Sequence, residues 1–198
     1  MIKRTFFIAA ILLASVTFSR AQSVDILLED AKLYELNGDY ETAVTIYQKA
    51  LAQEQSFEIY FNLAKAYHSI DNYTLAKENY NEALKYNQES ADLYLALGHL
   101  NSDMGQDIAA VNDFTKAITI DPNNVNAYIS RSFSFANIGF QEEAIRDLAI
   151  AIQINPEETV AYYNMASAMG INTNVCILAE NDAENPLNQL VSKYLCQG

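Results

Sequence analysis

The chain has 198 residues, 51% of them apolar and 11% aromatic, a composition too rich for a disordered tail. Its 25 acidic residues outnumber 12 basic ones; Lys3, Arg4 and Arg20 fall in the first 21 positions, so the remainder carries a net charge of −16. A body that acidic repels phosphate backbones and anionic headgroups, which argues against nucleic acid or a membrane surface as partner.

The first 21 residues read as a signal peptide. Lys3 and Arg4 make a basic start, Phe6 to Phe18 is almost wholly apolar, and Ser19-Arg20-Ala21 places small residues where a signal peptidase inspects. The apolar run is shorter than the ~20 residues that a spanning helix needs. The expected product is exported, periplasmic or secreted, begins at Gln22, and keeps no integral membrane span after cleavage.

From there the chain repeats itself. Gly38-Asp39-Tyr40 recurs as Asp71-Asn72-Tyr73, Gly105-Gln106-Asp107 and Gly139-Phe140-Gln141, at spacings of 33, 34 and 34 residues. Ala43, Ala76, Ala110 and Ala144 keep that register, as do Ala50, Ala83, Ala117 and Ala151. Tyr47, Tyr80, Phe114 and Leu148 hold the large apolar position between them, and Ala31, Ala64, Gly98, Ser132 and Ala166 a small one in the preceding stripe. Two apolar stripes of helical period, split by a polar turn, make each unit a helical hairpin. Small residues let the two helices approach, large ones fill the gaps left, and neighbouring hairpins must stack to close a core.

In chain order the pattern predicts helices at 24–37, 40–53, 57–70, 73–86, 91–104, 107–120, 125–138, 141–154 and 157–169, a short one near 174–181, and a last at 186–195. Pro122 and Pro156 follow second helices, where Pro is accepted because it cannot continue a helix. Asn185-Pro186 opens the last helix.

These residues resemble the tetratricopeptide repeat family, most closely in the third unit: Tyr94, Leu97-Gly98, Gly105, Ala110, Phe114, Ala117 and Pro122. Four full repeats and the first helix of a fifth occupy 24–170. Departures are Leu27 at the early aromatic position, Asn101 where Tyr is usual, and Arg131-Ser132 in place of Leu-Gly. The resemblance implies an all-α fold, a right-handed α-solenoid of helix-turn-helix hairpins, with residues 171–198 forming a degenerate half-repeat and a C-terminal capping helix. Some short exported members of the family carry a Cys in the last half-repeat and another just before the C-terminus. Cys176 and Cys196, the only cysteines, are expected to form a disulfide on that ground and from their even number in an exported chain, the alternative being two buried thiols.

Chemistry-bearing patterns are few. Ten of the thirteen tyrosines fall at family packing positions, and a stacking platform for nucleic acid would need a basic groove. His68 and His99 lack the ligand spacing of a zinc site, and Asp103, four residues after His99, would complete only a weak cluster. No phosphate loop, His-Glu-x-x-His or nucleophile elbow occurs, so neither an enzyme nor a cofactor is expected. The resemblance implies a concave groove lined by first helices that receives a protein or peptide partner. Its expected lining includes Leu28, Lys32, Phe61, Lys65, His68, Leu95, His99, Ile129, Phe133 and Tyr163, with Asp25, Glu35, Glu58, Asp92, Ser102, Asn126, Ala136, Val160 and Ser167 on the same faces. The positions that hold a chaperone carboxylate in some relatives carry Leu28, Lys32, Asn62, Asp92 and Ala96, of which only Asn62 fits. A binding scaffold is thus the first expectation and a periplasmic holdase-type chaperone the alternative; oligomeric state is left open.

Overall fold

The computed structural model describes residues 23–155, which contain eight α-helices and no strand. These are α1 (23–36), α2 (Tyr40–Leu51), α3 (Phe57–Ser69), α4 (Tyr73–Tyr86), α5 (Ala91–Asp103), α6 (Asp107–Ile120), α7 (Val125–Asn137) and α8 (Gln141–Ile154). Every one lies within two residues of its expected bounds. The expected signal peptide, the fifth repeat with Tyr163, both cysteines and the capping helix fall outside the described residues.

Side-chain caps explain where five helices begin. Asp39, Ser56, Asn72, Ser90 and Asn124 each accept a hydrogen bond from the backbone N–H three residues on, satisfying a donor that the first turn would otherwise leave unpaired. Within each hairpin the turn is the same device used four times. The backbone N–H of Asp39, Asn72, Gln106 and Phe140 reaches back to the carbonyl of Tyr34, Tyr67, Asn101 and Phe135 at 2.8–2.9 Å. Closing that turn requires a left-handed residue, supplied by Gly38, Gly105 and Gly139, and in the second repeat by Asp71 at φ 58°. Asp tolerates this conformation better than most side chains.

The chain divides between Gln88 and Glu89 into two units, the first holding α1–α4 and the second α5–α8. In the first, α3 packs on both α2 and α4. Ala31, Ala43, Ala50, Ala64, Ala76 and Ala83 are fully buried, and the rings of Tyr47 and Tyr80 wedge between the helices they notch. Burial pushes both phenol groups well above the usual tyrosine range, with the Glu35 carboxylate acting in the same direction. They stay protonated, and the Tyr47 hydroxyl donates to Glu35 Oε2 at 3.2 Å. Tyr34, at a family packing position, is 39% exposed, because it stands in the outermost described helix.

In the second unit α6 packs on α5 and α7, α7 on α8, and α5 also touches α7. Phe114 and Leu148 are the buried wedges. A Cβ placed on Gly98 would collide with the Phe114 ring, so that ring lies directly on the α5 backbone. Only glycine allows this approach.

Candidate functional site

The α5–α7 contact in the second unit leaves a cavity of about 400 Å³. Leu95, His99 and Ser102 reach it from α5, Asn126, Ile129, Ser130, Phe133 and Asn137 from α7, and Phe114 from α6. Leu95, Ile129, Phe133 and the Phe114 ring make its apolar part. His99, Ser102, Asn126, Ser130 and Asn137 supply its polar groups, and no Asp, Glu, Lys or Arg lines it. Pockets of this size and character take a side chain or small molecule through apolar contact, with a few polar groups fixing orientation.

Periodicity explains the convergence. On α5, Leu95, His99 and Ser102 follow at steps of four and three, which places them along one helix face. Asn126, Ile129, Phe133 and Asn137 do the same on α7. His99 anchors one side: its ring meets the Phe114 ring edge-on at 5.3 Å, and its Nε2 lies 3.5 Å from Ser130 Oγ. Asn137 Nδ2 donates to Asp107 Oδ1 at 3.1 Å, which fixes the end of α7 beside the start of α6.

The structure therefore brings Leu95, His99, Ile129 and Phe133 to one place. Ser130, Asn137 and Phe114 were missed by sequence reasoning. Ser130 shares its register position with Asn62 and Ala96, so carrying that position two repeats on from Asn62 would have found it. Phe114 reads in sequence as a pure core wedge; it is that and also a wall of the cavity.

In the first unit the expected groove residues are placed differently. Leu28 is buried at 8% exposure, as Ile129 is at 4% in the second unit. Lys32 is exposed but bound to Glu58 Oε1 at 2.9 Å, a surface pair worth less than about 1 kcal/mol. Phe61 is half-buried, stacked on Phe57 at 5.5 Å and tilted against Tyr80 at 6.0 Å. Lys65 Nζ lies 5.7 Å from the Phe61 ring centre, and the His68 ring meets Tyr73 edge-on at 5.8 Å.

Comparison with known proteins agrees with this architecture. The family model described as tetratricopeptide repeat matches residues 26–56, 57–90 and 91–124, half of the chain. No curated protein matches the sequence. Among solved structures, a crystal structure of MamA is 26% identical with a TM-score of 0.65, over 73% of this chain and 85% of that one. YrrB, described as a TPR protein with an unusual peptide-binding site, is 21% identical with a TM-score of 0.61, over 86% and 84%. MamA from Desulfovibrio magneticus RS-1, residue 41 to its end, is 15% identical with a TM-score of 0.68, over 87% and 93%.

Proposed function

The chain belongs to the tetratricopeptide repeat family, and from that premise we propose that it is an exported, non-catalytic scaffold that holds a segment of another protein. One observation carries the reading. Four groove residues picked out by register, Leu95, His99, Ile129 and Phe133, line a single cavity with an apolar wall and polar groups that include no Asp, Glu, Lys or Arg. A cavity of about 400 Å³ accommodates one large apolar side chain, the kind of anchor that dominates binding energy at interfaces. His99, Asn126 and Asn137 can meet the polar backbone around such an anchor. Three basic residues against nine acidic ones between 89 and 155 favour a segment whose anchor is flanked by Lys or Arg. YrrB shares the fold and is described as having a peptide-binding site; the chemistry proposed for this chain is that of its own cavity.

Capture of the partner from extracts of the native organism, with identification of the captured protein, tests this. Phe133→Ala should preserve helicity by circular dichroism and lower recovery at least tenfold; equal recovery overturns the cavity as the site. Phe61→Ala reports separately on the first unit. A holdase would instead suppress aggregation of several unrelated unfolded proteins, with no single partner enriched.

Export rests on the basic start, the apolar run and the Ser19-Arg20-Ala21 site. A mature N-terminus other than Gln22 or a near neighbour removes that part. The proposed bridge of Cys176 to Cys196 is checked by thiol labelling with and without reductant.

A further inference from the structure

We propose that the outer face of α1 is a second docking site, distinct from the cavity, for an amphipathic helix of a partner protein whose apolar stripe is flanked by Lys and Arg. Aligning the repeats on Ala31, Ala64, Gly98 and Ser132 places Ile26 in register with Ile59, Leu93 and Ala127, and Leu33 with Ala66, Leu100 and Ser134. All six of those later residues are 0% exposed, whereas Ile26 is 50% and Leu33 57% exposed. For α3 and α7 the difference lies in what precedes the helix. α2 packs on α3 and α6 packs on α7, while no helix precedes α1 among the described residues. A terminal repeat normally turns a polar outer face to water. Here the two positions that receive a preceding helix elsewhere keep Ile and Leu, and Leu36 extends the apolar surface at 84% exposure.

Register therefore fixes the shape of the occupant as a helix, and charge fixes its chemistry. Glu29 and Asp30, both exposed, sit between Ile26 and Leu33 along this face; Leu63 and Leu97 occupy the Asp30 position in the next two repeats. Two copies meeting face to face through α1 would bring these carboxylates together, which disfavours self-association. A partner helix with apolar residues at i, i+3, i+4 and i+7 would bury Ile26 and Leu33, and basic neighbours would meet Glu29 and Asp30.

Two fluorescent 18-residue peptides with identical Leu spacing, one carrying Lys at its remaining positions and the other Glu, are titrated by anisotropy against the full chain. In the Phe133→Ala background, which disables the cavity, the Lys peptide should bind saturably at one site, and the Glu peptide at least tenfold more weakly. Leu33→Asp and Ile26→Asp should each weaken the Lys peptide at least tenfold with helicity unchanged, although both add negative charge. Phe133→Ala should leave its binding intact, which separates this face from the cavity. Four results overturn the proposal: equal binding of the Lys peptide to the Asp variants; loss of binding on Phe133→Ala; a dimer that Leu33→Asp dissociates; or a photocrosslink from position 33 to residues 1–22 of the same chain.

Discussion

The two units solve one packing problem with different chemistry. In the first, alanine notches receive tyrosine wedges, and Tyr47 and Tyr80 bury large rings with their hydroxyls protonated. In the second, the second-helix alanines persist, but Gly98 and Ser132 replace the first-helix alanines, the wedges are Phe114 and Leu148, and two polar pairs enter the interior. Asn101 Nδ2 donates to Asp113 Oδ2 at 2.7 Å. Arg131 holds Asp147 through two hydrogen bonds of 2.7 Å, and its third contact is Thr115 Oγ1 at 2.9 Å. Asp113 and Asp147 occupy the same register position, where the first unit has Ile46 and Asn79. Two of the second-unit departures from the family pattern, Asn101 and Arg131, thus each meet an acidic partner one helix away. The cavity edge shows a related exchange. Where α1 and α3 join through Lys32 and Glu58, the same register positions on α5 and α7 carry His99 and Asn126, both lining the cavity. Replacing an ion pair by an imidazole and an amide leaves room and hydrogen-bonding capacity for a ligand.

Breaking the Arg131–Asp147 pair should have the largest effect. Both side chains are mostly buried, at 16% and 4% exposure, and the guanidinium also lies 5.7 Å from the ring centres of Tyr128 and Phe135. Asp147→Ala leaves a buried guanidinium uncompensated and should cost about 3 kcal/mol in urea denaturation. Arg131→Leu with Asp147→Ile, which imports the Leu97 and Ile46 side chains, should recover most of that loss. A double variant as unstable as the single one would show that the pair fixes the α7–α8 geometry beyond balancing charge.

Gly98→Ala comes next. Ala serves at the equivalent Ala64, but at Gly98 its Cβ meets the buried Phe114 ring. Overpacking of this kind costs about 1–3 kcal/mol, offset by about 1 kcal/mol of helix propensity, so the net loss should be about 0–2 kcal/mol. Displacing Phe114 also deforms the cavity wall, so partner capture should fall beyond what the stability change explains. Full stability and full capture would show that the ring finds another seat.

Helices and hairpins were legible because each depends on residues close in sequence: the turn glycines and the 34-residue recurrence of small and large positions. Leu95, His99, Ile129 and Phe133 were legible for the same reason, since a helix face follows from spacing alone. Leu28 has the same spacing as Leu95, yet one is core and the other lines a cavity. What separates them is how closely neighbouring helices approach, which depends on side chains more than thirty residues away. The Arg131–Asp147 pair lay beyond sequence reasoning on similar grounds. Arg131 stood out as a departure, but any of several acidic residues could have met it, and the choice depends on the face α8 turns toward α7.

Ser134 gives a smaller and opposite effect. Its hydroxyl is fully buried with no hydrogen-bond partner among the described residues, and Ala66 stands at the same register position in the first unit. Removing an unpaired buried hydroxyl should stabilise the protein by about 1 kcal/mol, read as a raised urea midpoint at unchanged slope. A loss on Ser134→Ala would mean that the oxygen contributes packing that a methyl group cannot replace.

The smallest effect concerns pH. Burial raises the Asp147 carboxyl above the usual aspartate range, and the hydrogen bonds and charge of Arg131 offset this only in part. A group whose folded pKa exceeds its unfolded one favours folding most in its protonated form. Its contribution is complete below the unfolded value, roughly 3.9, and declines as pH climbs through the raised folded value. Asp147→Asn removes the titration and keeps the shape. The stability of the natural protein relative to that variant should therefore decrease from acid toward neutral pH and level off once the folded carboxyl is ionised. A difference that grows with pH would mean that Arg131 outweighs burial, and the second unit would then hold its ion pair as a source of stability, whereas the first relies on apolar notches and wedges.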